Sequence, residues 1–155
     1  MSDRRYWLMK SEPYVYDIDD LERDEVEMWD GIRNYEARNT MRDDMQIGDR
    51  AFFYYSNVKP PVIAGEMEIC SESYPDPTQF DPESKYFDEK SSESDPRWQL
   101  VDVKFVRKFE NPVTRNEMKE DPLLSEMQLF KRNRLSITEV TEEEYKRLLD
   151  LAGVE

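Results

Sequence analysis

Apolar residues along this chain come in short, dense runs separated by charged and proline-containing stretches, a pattern of short strands and short helices rather than long helical stripes. Tyr6-Trp-Leu-Met9 reads as a buried strand, stopped by Lys10-Ser-Glu-Pro13 because a proline and the residue before it leave the ladder. Arg50-Ala-Phe-Phe-Tyr-Tyr-Ser56 follows a Gly48-Asp49 turn. Its successive aromatic positions cover both faces of a strand. After Pro60-Pro61, Val62 to Cys70 forms another strand, and Gly65 inside it predicts a bulge or sharp bend. Trp98 to Phe109 alternates with Val101, Val103 and Phe105 on one face, as a central strand does, and Leu135 to Val140 supplies the last strand.

Helical signals are shorter. Asp17 to Leu21 opens one helix, and Asn34 caps another carrying Ala37, Met41 and Met45 at four-residue steps on a core-facing stripe. Thr114 to Phe130 is helical in pieces broken at Pro122. Thr141-Glu-Glu-Glu144 is a capping box ahead of Tyr145, Leu148, Leu149 and Ala152 on one face. Between strands, Tyr74 to Arg97 reads as a long, acidic, proline-rich loop, of the kind that is functional or mobile in a small domain. The order of elements predicts an α+β fold, a curved sheet or pseudo-barrel of five or more strands with short helices packed around it.

Composition narrows the function classes. The 155 residues suit a single domain. No apolar run approaches a membrane span, and Met-Ser-Asp-Arg-Arg leads straight into a strand without a signal-peptide core, which sets the expectation of a cytoplasmic protein that does not engage membranes. Cys70 is the sole cysteine and reads as a small core or half-buried residue; there is no histidine. Histidine triads, intrachain disulfides and cysteine-based metal sites are therefore excluded, and no glycine-rich phosphate loop can be drawn among four glycines. The formal charge of -14 argues against gripping long nucleic acid by its phosphates. Bases do gather locally, at Arg33/Arg38/Arg42, Arg107/Lys108 and Lys131/Arg132/Arg134.

Trp29-Asp-Gly-Ile-Arg-Asn-Tyr-Glu-Ala-Arg-Asn39 is the segment richest in recognition chemistry. An indole, a phenol, two guanidiniums and two carboxamides surround a glycine. Aromatic faces stack on flat rings, Arg stacks or donates in plane, and Asn pairs a donor with an acceptor as a base edge does. The ligand expected from these residues is a nucleobase.

Seven segments in order, Tyr6-Trp-Leu-Met-Lys-Ser-Glu-Pro13, Trp29 to Asn39, Gly48-Asp49 with Phe53-Tyr-Tyr-Ser-Asn57, Ile63-Ala-Gly65, Tyr74-Pro-Asp-Pro-Thr78, Trp98 to Val103 and Arg134-Leu-Ser136, make the chain resemble the EVE domain family over nearly its whole length. The fold of that family is similar to PUA-like and YTH domains. The resemblance implies binding without chemistry or cofactor, in a pocket for a modified base: a modified cytosine in DNA, a modified RNA base, or the free nucleoside or nucleotide. Carried over by position, the pocket comprises Lys10, Ser11 and Glu12, then Trp29, Gly31, Arg33, Asn34 and Tyr35, then Tyr55, Ser56 and Asn57, with Arg38, Asn39, Arg132 and Arg134 as its rim. Trp29 would form a wall, Asn34 and Ser56 would touch the base edge, Lys10 and Arg33 would meet phosphate or exocyclic groups, and Gly31 would let backbone approach the ring. Many relatives carry His at the position of Tyr55 and Gly at that of Val62.

Two other classes compete. Asp76, Asp102 and Lys104 faintly mimic the acid-x-lysine arrangement of a metal-dependent nuclease, with two carboxylates holding Mg²⁺ and the lysine steering water. A protein-interaction module would instead use the acidic helices or the loop from Tyr74 to Asp95. Convergence of Arg33, Arg38, Lys131, Arg132 and Arg134 around the pocket would favour nucleic acid. A monomer is the expected state.

Overall fold

A computed structural model describes residues 4–154. Its frame is a curled six-stranded mixed sheet in the order β2-β7-β4-β3-β1-β8. Here β1 is Tyr6–Ser11, β2 Val26–Met28, β3 Arg50–Tyr55, β4 Val62–Ile69, β7 Asp102–Thr114 and β8 Ile137–Val140. The short pair β5 (Tyr74–Pro75) and β6 (Gln99–Leu100) lies outside that sheet. Among the described residues five α-helices, α1 (Ile18–Asp24), α2 (Tyr35–Asn39), α3 (Arg115–Glu120), α4 (Gln128–Lys131) and α5 (Glu142–Leu151), pack around it.

Both faces of the central strands are buried, which explains their near-continuous apolar runs. Trp7, Met9, Ala51 and Phe53 point into one core, together with Met67, Val103, Ile18, Leu21, Trp29, Ala37 and Met41. Leu8, Phe52 and Tyr54 point the other way, into a core completed by Phe109, Met118, Leu129 and Leu148. The aromatic run of β3 thus serves two layers, as its lack of alternation predicts.

Gly65 is a bend as expected. The β3–β4 register shifts between Phe53 and Tyr54, and the β4–β7 register shifts between Ile63 and Gly65. A Cβ at Gly65 would stand 2.5 Å from the Arg107 carbonyl oxygen, so only glycine lets β7 approach. The capping box of α5 is formed: the Thr141 hydroxyl accepts from Glu144 N at 3.1 Å and Glu144 accepts from Thr141 N at 2.9 Å. The Asn34-capped helix is only one α turn, continued by a π-helical turn over Thr40–Asp44, yet Ala37, Met41 and Met45 are buried as a stripe.

Two readings are corrected. The strand resuming at Trp98 is split into β6 and β7 by Val101, and β7 continues to Thr114 past Pro112 by looping out between Lys108 and Val113, where a missing N–H costs no ladder bond. The segment from Tyr74 to Arg97 is also not structureless. It pairs with Gln99–Leu100 through β5 and makes a 3₁₀ turn over Pro77–Phe80. It then closes around Gln79, whose amide donates to the Asp76 and Trp98 carbonyls at 2.7 and 2.8 Å and accepts from the Arg97 and Trp98 amides.

Candidate functional site

Strands β1 and β3 run parallel, with Lys10 opposite Tyr54 and Ser11 opposite Tyr55, so both release their chains at the same end of the sheet. Ser56 N donates to the Ser11 carbonyl at 3.0 Å and Lys10 N to the Ser136 carbonyl at 3.0 Å, drawing the start of β8 to the same place. From the far edge, the chain leaving β2 is fixed by Trp29 N donating to Val101 O at 2.9 Å, and curling of the sheet brings the indole edge-on to Phe53 with centroids 5.4 Å apart. The gap between these segments is a pocket of about 530 Å³.

Of the residues expected there, Lys10, Ser11, Glu12, Trp29, Gly31, Ser56, Asn57 and Arg134 line it. Lys10 Nζ donates to the Asn133 carbonyl at 2.8 Å; burial and then the Arg115 guanidinium push its pKa below the usual lysine value. Glu12 accepts from the Tyr14 hydroxyl and from Asn57 Nδ2 at 2.7 Å, and these two donors hold its carboxyl below the usual range. Trp29 is 7% exposed, and its indole N–H has no partner among the described residues. Arg134 is exposed and likewise has no partner among them.

The other expected residues build the frame instead. Arg33 turns away from the pocket to clamp the distant loop. It donates to the Tyr86 carbonyl at 3.0 and 2.7 Å, to Asp76 at 3.1 Å and to the Thr78 hydroxyl at 3.0 Å, between the Tyr86 and Trp98 rings. Asn34 spends its carboxamide oxygen on capping α2 through Ala37 N at 3.0 Å. Tyr35 stacks on Trp98 at 4.7 Å under the Arg38 guanidinium, and Arg38 in turn donates to the Arg97 carbonyl at 2.8 Å and to Asn39. Tyr55 accepts from Ile18 N at 3.0 Å, so its hydroxyl anchors α1 rather than entering the pocket. Arg132 is engaged by Glu36 at 2.8 and 2.6 Å, and Lys131 faces Glu126 at 3.5 Å. The five bases therefore do not converge; Arg134 alone of them reaches the pocket, where Lys10 and Lys85 join it.

Gly31 has φ +82, and a Cβ there would lie 2.6 to 2.9 Å from the Tyr86 ring. The ring it admits is thus a tyrosine of the chain itself. Tyr86 and Lys85 line the pocket and were not anticipated, nor were Val15, Tyr16, Glu27, Met28, Asp30, Ile32, Asn133 and Ser136. Lys85 and Tyr86 lie in the long loop whose length was the available signal. Asp30 opens onto the cavity beside Glu27, and partial burial, then the charges of Asp76 and Glu27, raise its carboxyl above the usual range.

The nuclease arrangement does not assemble. Asp76 is wholly buried and already accepts from Gly31 N, Arg33, Thr78 N and the Thr78 hydroxyl. Asp102 accepts from the Tyr74 hydroxyl at 2.6 Å, and Lys104 pairs with Glu68 at 3.1 Å.

Residues 5–151 match the family model described as EVE domain. The chain belongs to the EVE domain family. Mouse thymocyte nuclear protein 1 is 42% identical to this EVE domain over 97% of the chain and 74% of its own length. The solved structure of a hypothetical protein from Leishmania major superposes with TM-score 0.94 at 43% identity, covering 97% of this chain and 96% of that one. Human THYN1 protein, solved in complex with 5-methylcytosine containing DNA, superposes with TM-score 0.90 at 41% identity, covering 97% and 99% of the two chains. The PUA-like curled sheet expected from the seven segments is the architecture found. The expected cytoplasmic address is overturned: the mouse and human relatives are named nuclear proteins, and nothing in the composition or apolar pattern separates cytoplasm from nucleus.

Proposed function

We propose that this EVE domain is a non-catalytic reader that takes one modified nucleobase, a modified cytosine in DNA first of all, into the pocket between the ends of β1 and β3 and the Trp29 segment. The observation that carries this is the pocket's make-up. A buried tryptophan with an unengaged indole N–H stands among short polar side chains, in a cavity of about 530 Å³ within the range of small-molecule sites. Support comes from the human relative crystallised with 5-methylcytosine DNA.

In this reading Trp29 and Tyr86 offer ring faces, Ser11, Ser56 and Asn57 meet the base edge, and the Asp30 and Glu27 carboxylates accept from an exocyclic amine such as cytosine N4. Lys10, Lys85 and Arg134 meet sugar-phosphate oxygens. So few cations on a chain of charge -14 give a shallow dependence of affinity on salt, and selectivity resides in the base rather than the backbone. A modified RNA base or a free nucleotide satisfies the same contacts and is the second reading. A protein-interaction role for the Tyr74 to Asp95 loop is the weaker reading: the Tyr86 carbonyl and the Thr78 and Ser91 hydroxyls tie it down onto Arg33 and Gln79, and its exposed acids read as a solvated face.

The test is binding of the purified protein to short single- and double-stranded DNA and RNA carrying one modified base or its unmodified match, at low and physiological salt. Selective binding of one modification, abolished in Trp29→Ala and weakened in the better-packed Trp29→Phe, is expected. Binding left unchanged by Trp29→Ala would sink the pocket.

A further inference from the structure

The turn after β1 presents two consecutive apolar side chains to solvent at the mouth of the pocket. Tyr14 is 71% exposed and Val15 51% exposed, and neither joins a core. Val15 lines the cavity, so the turn is continuous with the site. Its exposure is built in rather than a loose end. Val15 N and Tyr16 N both donate to the Glu12 carbonyl, at 2.9 and 3.0 Å, and Ser11 Oγ donates to the Tyr16 carbonyl at 2.8 Å. Tyr16 then turns inward against Phe53, with its hydroxyl on Asp24 at 2.9 Å. The Tyr14 hydroxyl is held by Glu12, which is itself held by Asn57 at the end of β3. The turn is thus fastened to β1, β3 and α1 and cannot fold back to hide its tip.

A base drawn into a pocket leaves a hole in the stack it came from, and proteins that unstack nucleic acid commonly fill such a gap with an apolar or aromatic side chain. Among the described residues, the exposed large apolar one that also lines the pocket is Val15, and Tyr14 is beside it. Lys10, Lys85 and Arg134 stand around the same cavity with charge suited to the flanking phosphates. Resting on the base-reading role of this pocket, we infer that Tyr14 and Val15 form a wedge that enters a nucleic-acid duplex and occupies the space vacated by the extruded nucleotide. The carrier is then double-stranded, because a single strand offers no opposing partner to be left unpaired.

The experiment compares the full chain with Tyr14→Ser/Val15→Ser on two probes: a DNA duplex with one central 5-methylcytosine flanked by 2-aminopurine, and the same modified strand alone. Both positions are exposed, and an unchanged thermal midpoint verifies the variant's fold. Because Val15 also lines the pocket, both probes can lose affinity, and the expected result is a loss on the duplex roughly tenfold or more greater than on the single strand, with loss of the 2-aminopurine fluorescence change. Equal losses on both probes, or none on the duplex, overturn the wedge while leaving the pocket standing. Wild-type protein that binds neither probe overturns the base-reading role and the wedge with it.

Discussion

Asp76 and Gly31 are joined by a 2.8 Å hydrogen bond from the glycine amide to a carboxylate with no exposure to solvent. The same carboxylate takes one Arg33 N–H and both Thr78 donors, so one side chain ties the pocket wall to the loop that carries Lys85 and Tyr86. Asp76→Ala leaves the Gly31 and Thr78 amides without their acceptor and removes the one carboxylate that Arg33 meets among the described residues. A loss of about 3–5 kcal/mol in unfolding free energy is expected, the range for breaking a buried pair, measured by urea denaturation. Base binding should weaken as well, because the Trp29 to Ile32 segment loses its anchor. A loss under about 1 kcal/mol would show that the loop is held by something else.

Glu66 is completely buried between β3 and β7. Its Oε2 meets Arg50 at 3.1 Å and the Tyr145 hydroxyl, and Oε1 lies 3.0 Å from Arg107 Nε, close enough for an ion pair but misaligned for a hydrogen bond. Removing the carboxylate leaves the largely buried Arg50 with Glu68 alone, at 3.2 Å, and the Tyr145 hydroxyl without its acceptor. Glu66→Ala should cost about 3–5 kcal/mol, and Arg107→Ala, which removes the poorly aligned and half-exposed partner, distinctly less. Denaturation midpoints of the two variants decide this, and reversal of their order would contradict the assignment.

Acid stability should depend on Asp121. Arg147 donates to it at 2.8 Å and, as the first cause, holds its carboxyl below the ordinary 3.8. With the folded value depressed, the stabilisation is present above the ordinary carboxylate range and is lost as pH falls through the folded value. Asp121→Asn should therefore lower stability at neutral pH and flatten the acid limb of a stability profile taken from about pH 2 to 6. An unchanged slope would refute the link.

Asp30 has the opposite sign, since its carboxyl lies above the ordinary 3.8. If its carboxylate accepts from an exocyclic amine, affinity for a cytosine ligand should fall on acidification before ordinary carboxylates titrate. Asp30→Asn should bind more weakly at neutral pH with a flatter profile. Titration calorimetry between about pH 4.5 and 7.5 would reveal this, and superimposable profiles would remove Asp30 from base recognition.

Strand ends were the legible part of the site. Lys10 to Glu12 and Ser56-Asn57 follow apolar runs that stop abruptly, and a polar tail beyond a buried strand must emerge somewhere. Trp29 was legible as an aromatic beside a glycine. Asn34, Tyr35, Arg33, Arg38 and Tyr55 were not, because carboxamides, guanidiniums and phenols that can read a base can equally cap a helix, clamp a loop or hold an amide. Here Asn34, Arg33, Arg38 and Tyr55 each have such a partner within 3.1 Å, and Tyr35 lies stacked on Trp98. Tyr86 could not be paired with Gly31 from the sequence, since a loop with several prolines gives no period from which to deduce where it returns. The curled sheet was readable from bursts of strand pattern and from Gly65, but the parallel pairing of β1 with β3 leaves no local signature.

That parallel pairing, with apolar residues on both faces of β1 and β3, makes the register self-checking. Sliding β1 by one residue would exchange Trp7 and Met9 for Leu8, pushing an indole into a space shaped for an isobutyl group and leaving a void on the other side. The same slip would move Lys10, Ser11 and Glu12 out of step with Ser56 and Asn57. A misassembled pocket and a misfolded core are therefore one event, so diversity introduced at the rim residues Lys85 and Arg134 can retune the ligand without touching the fold, whereas diversity along β1 cannot.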